Sequence, residues 1–437
     1  MLILRMMFKG FTSRRWRGFV MAVCMAIGFG AGLVANKVAR SLQAVPLRAV
    51  APDYSYDFEN DPIGAAFYKK VPAFLDNVIA RYENSREYSA SDFPLSPHAH
   101  TIFRRKVSDA LVGVMSSPDW VVRSPSKVNG VSDKITVQDI GTVTVDGHAI
   151  HLKAITVLPT GDVVPMAMCF PANKAPGVIL YSGHTHFGLR ELFVDKASYQ
   201  KAMALRLCQA GFATAAIEKI DSGIVSEVFQ HYGERWRSDR WADDENEAAT
   251  TLLGMGDYSI PGRQLMANIA ALEIFASDPR VDEARIGAAG ISLGGWLTLH
   301  TALVNDRIKA VANYGGMWAY IDPFTNLKNL AEFSGINDYS QLIPGIWRLG
   351  DQNRFVLAAS PIPMLTGYGK KETAYLPYRD YFHPVITNQY KALGVQENIE
   401  IFIHDGGHEF PPEAVIAFFK RRLSSDPVIG GTPPQPK

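Results

Sequence analysis

Past residue 135, apolar positions alternate between short continuous runs and longer runs with helical spacing. "HLKAITVL" and "VVPMAMCF" read as two strands. "GVILYSG" (177–183), bounded by Pro176 and Gly183, reads as a buried strand. "ASYQKAMALRLCQAGF" is predicted to be a helix closed by Gly211, and "ATAAIE" the strand after it. A polar and aromatic loop follows over 221–260. The rhythm then resumes with helix "RQLMANIAALEIFASD", strand "RIGAAGI", helix "LGGWLTLHTALV" and strand "IKAVANYGG". Residues 318–358 interrupt it and are expected to form a helical lid or cap. The strand "PIPMLTGYG", a helix near 379–393, the strand in "NIEIFIHDGG" and a last helix "PEAVIAFFKRRL" complete the series. Such alternation predicts an α/β fold, with a mostly parallel central sheet and helices on both faces, over 135–424.

The chain before residue 135 has a different texture. "AAFYKKVPAFLDNVIARY" and "FRRKVSDALVGVM" predict a helical extension over 61–134, preceded by a linker at 41–60 with Pro46 and Pro52. "SRRWRG" and the apolar stretch 19–35 then read as a signal peptide or membrane anchor within 1–40. Leu33 would occupy the −3 position if cleavage followed Ala35, so an uncleaved anchor stays open. The positive flank should remain cytoplasmic, placing the body in the periplasm or outside the cell. The tail 425–437, with "GGTPPQPK", is expected to be disordered. There are no repeats and no even series of strands of the kind a β-propeller needs.

Composition narrows the partners. Hydrophobic residues make up 47% of the 437 and charged residues 20%, as in a globular protein. Net charge is +1, and removing the five basic residues before Ala35 leaves −4, which argues against nucleic acid. Of three cysteines, Cys24 lies in the N-terminal apolar stretch. Cys169 and Cys208 sit in apolar runs and are expected to be two buried thiols, with a disulfide as the alternative.

The chemistry gathers around "GAAGISLGGW" (287–296). Gly290-Ile291-Ser292-Leu293-Gly294 fits G-x-S-x-G, in which a serine nucleophile occupies a strained strand-to-helix turn. The positions two before and two after must then be nearly bare, and both are glycine. A serine needs a base, and His408 in "HDGGHEF" follows a strand in a Gly-rich loop, whereas His404 is expected to be structural. The acid should follow "PIPMLTGYG", where Glu372 is the carboxylate, with Asp380 and Asp322 as alternatives. Oxyanion donors are expected from the amides of Leu293 and His184, with Thr185 second to His184. His186, Tyr232 and Trp318 are candidate substrate contacts; Trp236, Trp241 and Phe324 could share the lining. His184-Thr185-His186 and His98-Ala99-His100 are H-x-H motifs, but no further ligands at metal spacing accompany them, so no metal is expected.

With these residues in place, the chain resembles the α/β-hydrolase superfamily. "SDPRVDEARIGAAGISLGGWLTLHTAL" and "DGGHEF" are similar to its dienelactone-hydrolase-like and acetylxylan-esterase-like branch. The resemblance implies Ser292 as nucleophile, His408 as base and no cofactor. The family hydrolyses many esters, so the substrate does not transfer with it; a small-molecule or carbohydrate ester is the expected partner. The branch's aspartate loop is replaced here by "GYGKKETAYLP", and its histidine-glycine before the oxyanion residue by Ser182-Gly183. A prolyl-oligopeptidase-type peptidase, a thioesterase or an inactive binding protein on the same fold are the competing readings.

Overall fold

The computed structural model describes residues 97–115, 133–185, 187–220, 258–317, 343, 345–346, 349, 352–372, 379 and 382–423. All lie within one unit, Leu75–Lys437. Helix α1 spans Pro97–Val114. Strands β1 (Ile135–Val145), β2 (His148–Val157), β3 (Asp162–Cys169) and β4 (Ala175–Tyr181) follow. Two short helices, α2 (Leu189–Phe193) and α3 (Met203–Gln209), precede β5 (Ala213–Ile217). Then come α4 (Ile260–Ser277), β6 (Val281–Ile291), α5 (Leu293–Val304) and β7 (Ile308–Tyr314). The series closes with α6 (Gln352–Ala359), β8 (Met364–Gly367), α7 (His383–Ala392), β9 (Ile399–Ile401) and α8 (Pro412–Arg422).

The strands form one nine-stranded sheet in the order β1-β2-β3-β5-β4-β6-β7-β8-β9. Pairing is antiparallel from β1 through β3 to β5 and parallel from β5 to β9. The parallel strands are continuous apolar runs because helices cover both faces. β4 and β7 are almost wholly buried. One face packs against α1, α4, α5, α6 and α7, the other against α2, α3 and α8. All 12 residues of α5 are buried, which explains its nearly uniform apolar sequence. Each fully buried large side chain there, such as Trp296 or Leu299, stabilises the fold by about 2–3 kcal/mol relative to exposure. α4 begins at an N-cap, Ser259, whose side chain accepts from the Gly262 amide.

The expected α/β architecture is the one observed, with local differences. β1 has no counterpart among the expected strands; it is exposed along nearly its whole length, and its apolar–polar alternation is broken in the middle at Asp139–Gly141. The expected helix through 197–212 is helical only over Met203–Gln209. Lys201 and Ala202 have φ of 56° and 49°, a conformation that breaks a helix. Cys169 and Cys208 are bonded to each other rather than being two thiols, fastening β3 to α3. β3 and α3 pack on the same face, which brings together two residues 39 apart in sequence.

The expected signal or anchor, the linker, most of the helical extension, the tail and most of the 318–358 insertion lie outside the described residues. From Gln352 the insertion gives way to α6, whose Phe355, Val356 and Leu357 are core residues. Among the described residues no helix is long and apolar enough to cross a membrane. His100 is buried on α1 and its Nε2 lies 2.8 Å from the Leu357 carbonyl oxygen, a structural contact between α1 and α6.

Candidate active site

Ser292 joins β6 to α5 with φ 59° and ψ −132°. A non-glycine residue in this region costs about 1–3 kcal/mol and persists only where its surroundings impose it. Here they do. The Ser292 amide donates to Tyr314 O at 2.9 Å, and the Trp296 amide donates back to Ser292 O at 3.2 Å. A Cβ on Gly290 would lie 2.0 Å from Gly294 O, and one on Gly294 would lie 2.1 Å from Tyr181 O. Those contacts are backbone, so neither glycine can be enlarged without moving a strand or the helix.

Glu372 and His408 come from two loops at the same end of the sheet. The β8–β9 pairing continues past the strands: Phe402 N donates to Thr366 O at 2.9 Å and Lys370 N to His404 O at 2.9 Å. Lys371 N reaches Gly406 O at 3.0 Å, so the two loops are laced together by backbone bonds. Across them His408 Nδ1 and Glu372 Oε2 lie 2.6 Å apart. The other oxygen, Oε1, accepts from the Gly369 amide at 2.7 Å. The Glu372 side chain is only 5% exposed, unlike a solvated surface charge, while that of His408 is 41% exposed and open to an incoming molecule. His404 instead accepts from the Gly406 amide at its Nδ1 and stacks on Tyr314.

Two glycines after β7 separate the pair from the serine. A Cβ on Gly315 would lie 3.1 Å from His408 Cε1 and 3.6 Å from Glu372 Oε2. One on Gly316 would lie 2.6 Å from Ser292 O. Ser292, His408 and Glu372 thus converge around one glycine turn. Leu293 is the first residue of α5. His184 lies in the loop after β4, whose Gly183 has Ser292 Cβ 3.3 Å from its own Cβ position.

The β4 loop rests on buried polar groups. Thr185 Oγ1 donates to Glu191, and accepts from the Gly188 amide at 3.0 Å. Gln200 Nε2 donates to Glu191 Oε2 at 3.3 Å, while Gln200 Oε1 accepts from the Gly183 amide at 3.3 Å. Glu218 accepts from the Leu189 amide at 2.9 Å. Sequence reasoning passed over Glu191, Gln200, Glu218 and Tyr199. The signal present was a carboxylate in each of two apolar runs, "LRELF" and "ATAAIEKI". Buried carboxylates must be paired, which marks a built network. His186, Tyr232 and Trp318, and the alternative acids Asp322 and Asp380, lie outside the described residues.

A parallel sheet with a strained serine between strand and helix at its carboxyl end is an α/β-hydrolase fold, and this chain has it. The sequence profile of the family described as Acetyl xylan esterase (AXE1) matches residues 263–341, the stretch that holds the serine turn. A solved structure of a candidate acetyl xylan esterase from Bacteroides fragilis is similar at 16% identity and TM-score 0.56, covering 77% of this chain and 83% of the other. A solved methylesterase is similar at 17% identity and TM-score 0.50, covering 76% of this chain but 65% of its own, so this chain spans less than two thirds of it. At these identities the likeness is one of fold. No curated protein matches the sequence.

Proposed function

We propose that the protein is a serine hydrolase that cleaves carboxylic esters, with a small-molecule or carbohydrate ester as substrate. The observation that carries the reading is the 2.6 Å contact between His408 Nδ1 and the buried Glu372 carboxylate, facing a strained serine across one glycine turn. Glu372 holds the Nδ1–H tautomer, which leaves Nε2 as the base. Ser292 Oγ attacks the ester carbonyl as His408 Nε2 takes its proton. The amides of Leu293 and His184 hold the oxyanion. His408 then gives the proton to the leaving alcohol, and a water releases the acyl group by the same route.

The acetyl xylan esterase profile supports a short acyl group on a carbohydrate alcohol. His186, Tyr232 and Trp318 would line the substrate side. The basic-then-apolar N-terminal stretch and the Cys169–Cys208 bond together support a body held outside the cytoplasm.

Labelling with a fluorophosphonate tests the mechanism. The adduct should map to Ser292, and Ser292→Ala should lose labelling and about 10⁴-fold or more in ester turnover. Near-normal turnover by folded Ser292→Ala protein would reject it.

A further inference from the structure

Tyr199 is not part of the triad, yet it touches both halves of the site. Its hydroxyl donates to the carbonyl oxygen of His184. Its ring stacks on the His408 imidazole, with centroids 5.4 Å apart and planes 19° from parallel. We propose that Tyr199 is a positioning residue that sets the His184 amide for the oxyanion and holds the His408 imidazole in place through its stacked ring. The inference rests on the serine-hydrolase reading and deepens it.

The geometry of the loop makes the case. Tyr199 and its neighbour Gln200 grip the peptides on either side of the His184 amide. Gln200 Oε1 accepts from the Gly183 amide, fixing the peptide before; Tyr199 holds the His184 carbonyl, fixing the peptide after. The peptide between them, which carries the His184 N–H, is thereby held from both ends. Gly183 must be bare for this, since a Cβ there would lie 2.3 Å from the Tyr199 hydroxyl.

The same segment is pinned beside His408. The Phe410 amide donates to Tyr199 O at 2.9 Å, two residues past the histidine. Lys201 pairs with Glu409 at 2.5 Å, and this hydrogen bond is the main cause holding the Glu409 carboxylate below its ordinary pKa. The positive φ of Lys201 and Ala202 is the backbone distortion that turns the chain from this ledge into α3. Strain of this kind survives where the surroundings over-determine it. During attack His408 becomes an imidazolium, and a phenol ring within about 6 Å attracts that cation more than the neutral ring.

The test uses the full chain with Tyr199→Phe and Tyr199→Met. Tyr199 is half-buried on a loop, so an unbranched replacement leaves the core intact. Tyr199→Phe keeps the ring and loses the clamp. It should lower kcat about tenfold with KM little changed, since the oxyanion exists only in the transition state. Tyr199→Met loses both. It should lower kcat about a further threefold, again with KM little changed, because the imidazolium formed during attack loses its stacked ring. A purely structural role would lower the melting temperature and raise KM instead of lowering kcat alone. Tyr199→Phe within twofold of wild type, or Tyr199→Met no slower than Tyr199→Phe, overturns the proposal. A wild-type chain unreactive to fluorophosphonate would sink the hydrolase reading, whereas a reactive wild type with unimpaired Tyr199 variants would sink the role of Tyr199 alone.

Discussion

The serine turn and the His408–Glu372 pair occupy the same end of the sheet but are held by different physics. Ser292 sits in a turn made by ten neighbouring residues, fixed by backbone strain and by glycines with no room for a methyl group. The pair joins residues 36 apart, fixed by charge-bearing hydrogen bonds between loops laced along a sheet edge. One region is therefore intolerant of volume and the other of lost charge. The serine turn should fail by distortion of the fold, the pair by loss of chemistry within an intact fold.

The largest effect should come from added volume at the turn. Gly294→Val would drive side-chain atoms into the Tyr181 carbonyl and Gly183, so we expect both activity and cooperative unfolding to be lost. A Gly294→Val protein with a normal melting curve and normal turnover would break the contrast. Next, Glu372→Gln should keep the fold and lower kcat by about 10³–10⁴, because an amide can support the wrong imidazole tautomer. A loss of melting temperature matching that of Gly294→Val would erase the distinction.

The smallest effect sharpens it from the helix behind the serine. His300 on α5 is fully buried against Trp296 and Phe355, and burial pushes its pKa down to about 3. Neither ring nitrogen has a hydrogen-bond partner among the described residues. Below pH 6.5 the unfolded chain takes up a proton that the folded chain refuses. Stability should therefore fall by about 1.4 kcal/mol per pH unit as pH drops from 6.5 toward 3. His100, also lowered chiefly by burial, adds in the same direction. His300→Leu should flatten this slope in urea melts at pH 6.5 and 4.5 while leaving turnover at pH 7 unchanged. An unaltered slope would show that another group governs acid stability.

What could be read from the sequence follows the same division. The strand, serine and helix of the turn lie within ten residues, so their pattern carries the structure almost unaided. Glu372 could be named by its place after β8, but its burial depends on a turn and an edge pairing with no local signature. Tyr199 and Gln200 were hidden inside what spacing alone makes a helix. The distortion at Lys201–Ala202 sits beside contacts of Tyr199 with Phe410 and of Lys201 with Glu409, more than 200 residues away. Cys169 and Cys208 each look like core thiols, and only the packing of β3 beside α3 makes them partners.

The Cys169–Cys208 bond has one more consequence. It closes the chain between them into a covalent ring that contains β4, the His184 loop, α2, Tyr199 and Gln200. An exposed part of that ring is the bend at Val194–Ala197, the sort of place where proteases nick a folded protein. A single cut there leaves both new ends tethered through sulfur, so the two flanks of the oxyanion loop stay in one molecule. A nicked ring of this kind keeps its parts together.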